Sequence, residues 1–151
     1  MIKAELKTFK ITKKYEAAAK QLILEGFLER FGFIDHSLNP DLNNITKTYS
    51  LEGSLFLIGF IGEEMVCTGA LTKESGDICR LQRMSVKTAF RNRGIARTMV
   101  QVLESQAQAE GYKKIVLETH LSWSSAVTLY KSCGYKEYLQ EEGMIHLFKS
   151  I

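Results

Sequence analysis

Leu81-Gln82-Arg83-Met84-Ser85-Val86, followed by Arg91-Asn92-Arg93-Gly94-Ile95-Ala96, is the stretch whose reading decides the fold. The first hexapeptide belongs to a strand-like run. The second is a basic turn with one glycine, and from Ile95 to Ala109 apolar residues return at helical spacing. The first turn of a helix leaves several N–H groups without intrahelical partners, and the aligned peptide dipoles make that end partly positive, so an anion satisfies both. Gly94 lets a ligand approach the backbone without a Cβ in the way, and Ala96 keeps the second approach point small. Five of the six arginines (Arg80, Arg83, Arg91, Arg93, Arg97) fall in this one segment, and guanidinium forks suit bidentate phosphate contact. Two readings stand at this point: a phosphate cradle, or a basic loop whose glycine only makes a turn.

The 151 residues are about one domain's worth of chain, and 45% hydrophobic with 25% charged residues is ordinary for a soluble globular protein. One domain over residues 1–151, without a linker, is expected. A net charge of +3 is too small to indicate nucleic acid or a membrane surface, so only the arginine cluster argues for an anionic partner. No apolar run approaches the roughly 20 residues needed to cross a bilayer, and Met1 to Lys14 lacks a signal-peptide core, so a cytoplasmic protein is expected. Cys67, Cys79 and Cys133 are odd in number, far apart and without metal-ligand spacing, which predicts reduced core or near-core thiols and no metal.

The remaining chain supplies a mixed order of elements. Ala4 to Phe9 reads as a strand, and Thr12 as the cap of a helix with Tyr15, Ala19, Leu22, Ile23, Gly26 and Phe27 on one face, ending near Phe31. Pro40 marks a short helix start, and Leu42 and Ile45 are the core positions of the segment that follows. Leu55 to Ile61 and Met65 to Leu71 form a hairpin around Gly62-Glu63-Glu64, and a second turn at Glu74-Ser75-Gly76-Asp77 leads into a strand from Ile78 to Val86. The helix from Ile95 carries Met99, Val102, Leu103 and Gln106 on its apolar side and stops at Gly111. Ile115 to Thr119 is a strand, Ser124 a cap for a helix ending before Gly134, and the chain closes with strands Tyr135 to Leu139 and Met144 to Phe148. The sum is an α+β fold, a three-layer α/β/α sandwich whose mixed, mainly antiparallel sheet is flanked by helices.

These residues resemble the GNAT-type N-acetyltransferases over nearly the whole chain. The family's motif A, Gln/Arg-x-x-Gly-x-Gly/Ala between a strand and a long helix, is similar to Arg91, Gly94 and Ala96 in that context. Its motif B resembles Ala126-Val127-Thr128-Leu129-Tyr130-Lys131-Ser132-Cys133-Gly134-Tyr135, and Leu117-Glu118-Thr119 lies between the two. Leu81 to Val86 resembles the cofactor-binding strand, and Asn39-Pro40-Asp41-Leu42 a segment of some bacterial members. The chain departs from the pattern at Trp123, where many relatives have Asn or Gln.

The resemblance implies acetyl-CoA as donor. Backbone N–H groups from Asn92 through Arg97, including Arg93 and Ile95, would hold the pyrophosphate, and the main chain of Met84, Ser85 and Val86 would pair with the pantetheine amides as a strand edge does. Tyr130 would return a proton to the departing thiolate; helical spacing alone also allows a core aromatic there. An alkylammonium has a pKa of about 10, so the attacking amine must lose a proton. Glu118, acidic in an otherwise apolar strand, is the leading base, with a raised pKa if buried; an ion pair serving packing is the equal alternative. His120, His146 or a water chain are further routes.

The acceptor is a small-molecule amine or a peptide or protein amine, met by the segment from Phe31 to Tyr49 and the hairpin near Glu141. Asp35, His36, Asp41, Glu118, Glu141 and Glu142 make an acidic approach there, or are solvated loop charges. Two other classes stand beside the enzyme: a non-catalytic CoA-binding regulator on the same fold, and a nucleic-acid module using the Arg80 to Arg97 cluster. The second lacks interleaved aromatics for stacking. A homodimer through exposed strand edges is compatible with the sequence.

Overall fold

A computed structural model of the protein describes residues 5–32 and 39–151. Seven strands form one sheet: β1 (Leu6–Lys10), β2 (Leu55–Ile61), β3 (Glu64–Ser75), β4 (Ile78–Val86), β5 (Lys114–His120), β6 (Lys136–Glu141) and β7 (Met144–Ser150), in the spatial order β1-β2-β3-β4-β5-β7-β6. Only β4 and β5 are parallel; the described ladders on either side are antiparallel. That follows from the connections, because tight turns join antiparallel neighbours whereas a parallel pair needs a crossover. The turns carry their chemistry visibly. Gly62 and Gly76 take φ of 61° and 51° at the first central position of two-residue loops, and Glu142-Gly143 takes φ of 51° and 78°, both left-handed.

The helices are α1 (Glu16–Phe31), α2 (Ile45–Thr48), α3 (Ile95–Ala109) and α4 (Ser124–Ser132). On one face of the sheet, Ala19, Leu22 and Ile23 of α1 pack with Leu42, Ile45, Tyr49, Phe56 and Ile58. On the other, Met99, Val100, Leu103 and Ala107 of α3 and Tyr130 of α4 pack with Val66, Leu71, Leu81, Ile115 and Leu117. The strands alternate accordingly, Phe56 and Ile58 to the first layer and Leu57 to the second. The three-layer α+β architecture expected from the sequence is the one observed.

Details differ. Thr12 makes no side-chain cap; a single 3-10 turn, Lys13–Tyr15, precedes α1, so Tyr15 stands at the cap position. Ser124 is the first residue of α4 and Trp123 its cap, again without a side-chain bond. On α3, Val100 and Ala107 are fully buried where Val102 and Gln106 were expected; Val102 sits at the rim of the core and Gln106 is exposed. Tyr49, 3% exposed, joins Leu42 and Ile45 as a core residue that the apolar pattern missed, because its hydroxyl is held by Asp41. Cys67 and Cys79 are buried and Cys133 partly so, all as free thiols. Burial pushes the first up to about 12 and the second to about 11, which makes both inert at neutral pH.

Candidate active site

Pairing between the parallel strands ends at Arg80 and Val116, although β4 runs on to Val86 and β5 to His120. Past that point the strands part and a cleft of about 640 Å³ opens between them. The divergence explains the exposure pattern of β4: Cys79 and Leu81 are buried, while Gln82 to Val86 are only half-buried because their β5 side has no neighbour. It also decides the condition placed on Glu118, which is not buried. Its carboxylate is 48% exposed, since β5 has already left β4 where Glu118 stands.

β4 carries a bulge there. Register with β3 jumps from Ala70↔Gln82 to Thr68↔Ser85, so Arg83 and Met84 oppose Gly69 alone, and Arg83 takes φ 57°. The bulge is fastened on both sides. Thr68 donates its hydroxyl to the Arg83 carbonyl at 2.7 Å, and the Arg83 side chain reaches outward to the segment after α1. There its Nε and Nη2 donate to the two oxygens of Asp41 at 2.9 and 2.6 Å, and Nη1 donates to Asn39 Oδ1 at 2.9 Å. Tyr49 donates to the same Asp41 at 2.8 Å; burial and the Asp41 carboxylate push the Tyr49 phenol up to about 12.

One end of the cleft is the turn into α3. Asn92 and Gly94 have φ of 60° and 78°, and the first helical bond runs from Thr98 N–H to Gly94 O, so the N–H groups of Ile95, Ala96 and Arg97 precede the ladder. A Cβ placed on Gly94 would meet no heavy atom within 4 Å, so the backbone is open to the cleft. Met84, Ser85, Val86, Arg91, Asn92, Gly94, Ile95, Ala96 and Arg97 all line it; Arg93 does not, and lies over the Phe90 ring at 5.1 Å.

Four arginines of the sequence cluster, Arg80, Arg83, Arg91 and Arg97, line the cleft, and each is engaged by a different partner. Arg80 bonds Glu74 at 2.7 Å, Arg83 bonds Asp41, Arg91 bonds Glu29 at 2.5 Å, and Arg97 bonds Ser132 at 2.7 Å. Arg91 and Thr88 together hold the Glu29 carboxyl below its ordinary range. Three of the four are paired with carboxylates of the fold, which lowers the positive charge left for a nucleic-acid backbone.

The other end is built by β5 and α4. Tyr130 is 7% exposed, edge-on to Tyr135 at 5.9 Å, and its hydroxyl donates to no protein acceptor among the described residues. Desolvation pushes its pKa up, and the Arg30 charge pulls against that, so the phenol keeps its proton at neutral pH. Glu118 faces His146 across the β5/β7 ladder, with 3.6 Å from Oε2 to Nδ1; the other ring nitrogen lies 3.5 Å from Glu141 Oε1. Asp41 leaves the acidic approach, being bonded to Arg83 and Tyr49, and Asp35 and His36 lie outside the described residues.

Sequence reasoning missed Phe27 and Arg30 of α1 and Met144 of β7 as lining residues. Arg30 continues the spacing Ile23, Gly26, Phe27 by one more helical step, and that signal was available. Trp123 also takes a definite place. Its ring stacks with His120 at 4.4 Å and with Phe31 at 5.3 Å, and the Arg30 guanidinium lies 4.2 Å from its centroid. Among the described residues, no group of three or more His, Cys, Asp and Glu is placed to hold a metal, and no helix is long and apolar enough to cross a membrane.

A mixed sheet that parts at its parallel pair, with an open helix N-terminus at one end of the gap, defines the acetyltransferase class of fold. The model of the Acetyltransferase (GNAT) family matches residues 20–135, and the chain belongs to that family. It is 34% identical over 111 residues to N-acetyltransferase 8B of Homo sapiens, covering 70% of this chain and 49% of that protein. It is also 31% identical over 101 residues to the uncharacterized N-acetyltransferase YjgM of Escherichia coli (strain K12), covering 65% and 60%. The chain thus spans about half the length of the curated relatives it matches. In fold it is similar to an acetyltransferase of the GNAT family from Staphylococcus aureus Mu50, with TM-score 0.88, 20% identity, and 97% and 99% of the two chains covered. The PaiA N-acetyltransferase of Thermoplasma acidophilum, solved in complex with coenzyme A, aligns with TM-score 0.84 at 17% identity over 97% and 99%.

Proposed function

We propose that residues 1–151 form one acetyl-CoA-dependent N-acetyltransferase domain that moves an acetyl group directly to a primary amine of a small molecule, peptide or protein. The observation that carries the reading is the parting of β4 and β5 beyond Arg80 and Val116, which brings the open N–H groups of α3 and Tyr130 into one cleft. Acetyl-CoA would supply an activated acetyl thioester; the residues present fit it. The N–H groups from Asn92 to Arg97 and the flanking Arg91 and Arg97 side chains suit a pyrophosphate. The half-buried run Met84, Ser85 and Val86, unpaired on its β5 side, suits an extended chain with amides.

At the reacting end, Glu118 accepts the proton of the incoming ammonium, directly or through water, and His146 beside it takes up or orients that proton. The amine nitrogen forms a bond to the acetyl carbon, the carbon–sulfur bond breaks, Tyr130, held protonated by burial, gives its proton to the thiolate, and the second proton lost by the nitrogen returns to Tyr130 through water. The free thiols support a reducing, cytoplasmic setting.

The test is a calorimetric titration with acetyl-CoA of the native protein, Gly94→Ala and Gly94→Trp. At φ 78° any side chain carries left-handed strain of about 1 kcal/mol, which Gly94→Ala measures alone. Native binding that survives in Gly94→Ala and disappears in Gly94→Trp is the expected result. Absence of binding to the native protein would overturn the reading.

A further inference from the structure

We propose that the acceptor is an α-amino acid with an apolar side chain, its carboxylate held by Arg30 over Trp123 and its amine turned toward Glu118. The inference rests on the acetyltransferase reading above and names the substrate class of that site.

Arg30 lines the cleft and makes no ion pair or side-chain hydrogen bond among the described residues. It stands on the last turn of α1, exposed into the cleft, with its guanidinium on the Trp123 ring at 4.2 Å. No carboxylate among the described residues pairs with it. Its neighbour Glu29 is already bonded to Arg91 and Thr88. A guanidinium has five donors and no acceptor capacity, and stacking on an aromatic face leaves its edge free for a planar bidentate anion. The neighbouring Arg91 charge repels it and raises the local preference for an anion.

Glu118 lines the same cleft and forms no ion pair with Arg30. Of the other arginines that line the cleft, Arg80, Arg83 and Arg91 pair with carboxylates of the fold and Arg97 bonds Ser132, so Arg30 and Glu118 remain as a cation and an anion that do not neutralise each other, the charge pattern of a zwitterion. Between them the walls are apolar: Phe27 and Met144 line the cleft, and Phe31, His120 and Trp123 stack at its α1 end. A polyamine would bring cations to Arg30 and is disfavoured for that reason.

The experiment measures CoA release with L-phenylalanine, L-leucine, L-phenylalaninamide and 2-phenylethylamine, on the native protein and Arg30→Gln, beside acetyl-CoA calorimetry on both. The expected result is a kcat/KM for the amino acids at least about tenfold above that for the amide and the amine, as one charge-assisted anchor gives. In Arg30→Gln this preference falls to about one while acetyl-CoA affinity stays. Trp123, the only tryptophan, gives an independent readout: with CoA present, N-acetyl-L-phenylalanine shifts its emission and the corresponding amide does not.

Equal turnover of amide and acid, or a preference that survives Arg30→Gln, overturns the inference. So does a loss of acetyl-CoA binding in Arg30→Gln with the preference intact, which would assign Arg30 to the donor. Native protein that binds acetyl-CoA and acetylates none of the amino acids overturns this inference alone, whereas failure to bind acetyl-CoA overturns the acetyltransferase reading itself.

Discussion

Replacing Asp41 with Asn removes the charge that Arg83 is built around while keeping the side-chain volume. In the native protein, Asp41 accepts from Arg83 Nε and Nη2 and from the Tyr49 hydroxyl, and the two ion-pair side chains are only 17% and 21% exposed. An amide at this place presents an N–H to a guanidinium N–H, so at least one of the three bonds becomes a repulsive contact. Removing one partner of a fully buried pair costs about 3–5 kcal/mol, and an exposed pair is worth at most about 1 kcal/mol. For a pair about four-fifths buried, a loss of about 2 kcal/mol is expected after allowance for the remaining solvent. At this chain length that corresponds to a fall in Tm of about 4–8 °C. The assay is thermal unfolding by circular dichroism of native protein, Asp41→Asn, Arg83→Met and the double variant. The double variant should be little worse than either single one, because the two residues act as a unit. A Tm within about 1 °C of native for Asp41→Asn, or fully additive losses, would refute the view that this pair fastens the β4 bulge.

Tyr130→Phe should leave acetyl-CoA binding unchanged and lower kcat by about 100-fold or more, the span of a lost general acid; a kcat within threefold would remove Tyr130 from the chemistry. Glu118→Gln should abolish the acidic limb of the kcat/KM profile, and an unaltered profile would pass the base role to His146, His120 or water. Above pH 10 stability should fall. The folded protein holds the Tyr49 proton up to about pH 12, whereas an unfolded tyrosine releases it near 10, so the stability present below 10 is lost between 10 and 12. Tyr49→Phe should flatten the Tm against pH slope in that window, and an unchanged slope would contradict the assignment.

The order of elements and both motif segments were legible because each is written in local terms: periodicity, a glycine past a helix end, a basic turn before an apolar helix. What the sequence withheld is pairing. Arg83 and Asp41 stand far apart in the chain, and each was weighed only as a ligand contact or a solvated charge, because nothing local says that they satisfy each other. Whether Glu118 is buried was left open, because burial there depends on whether β4 is still beside it, and register ends before it. Trp123 interrupted a family pattern and carried no meaning until the end of α1 and the end of β5 came together around it. The bulge had one local trace, Gly69 within an otherwise apolar strand, a sign of close backbone approach.

That glycine connects the fold to the site. A Cβ on Gly69 would lie 2.7 Å from Leu103 Cδ1, 2.8 Å from Met84 Sδ and 3.0 Å from Met99 Cγ, so α3 and the bulge both close onto the β3 backbone at this point. The full ladders β3/β4 and β5/β7 hold the two parting strands from outside, while the Thr68 and Asp41 bonds fix the left-handed Arg83 between them. A parallel pair held this way from both flanks cannot close its gap without breaking a ladder. The cleft is therefore a property of the sheet itself, and Arg30 and Trp123 stand at its α1 end, on elements outside the two ladders that hold it open.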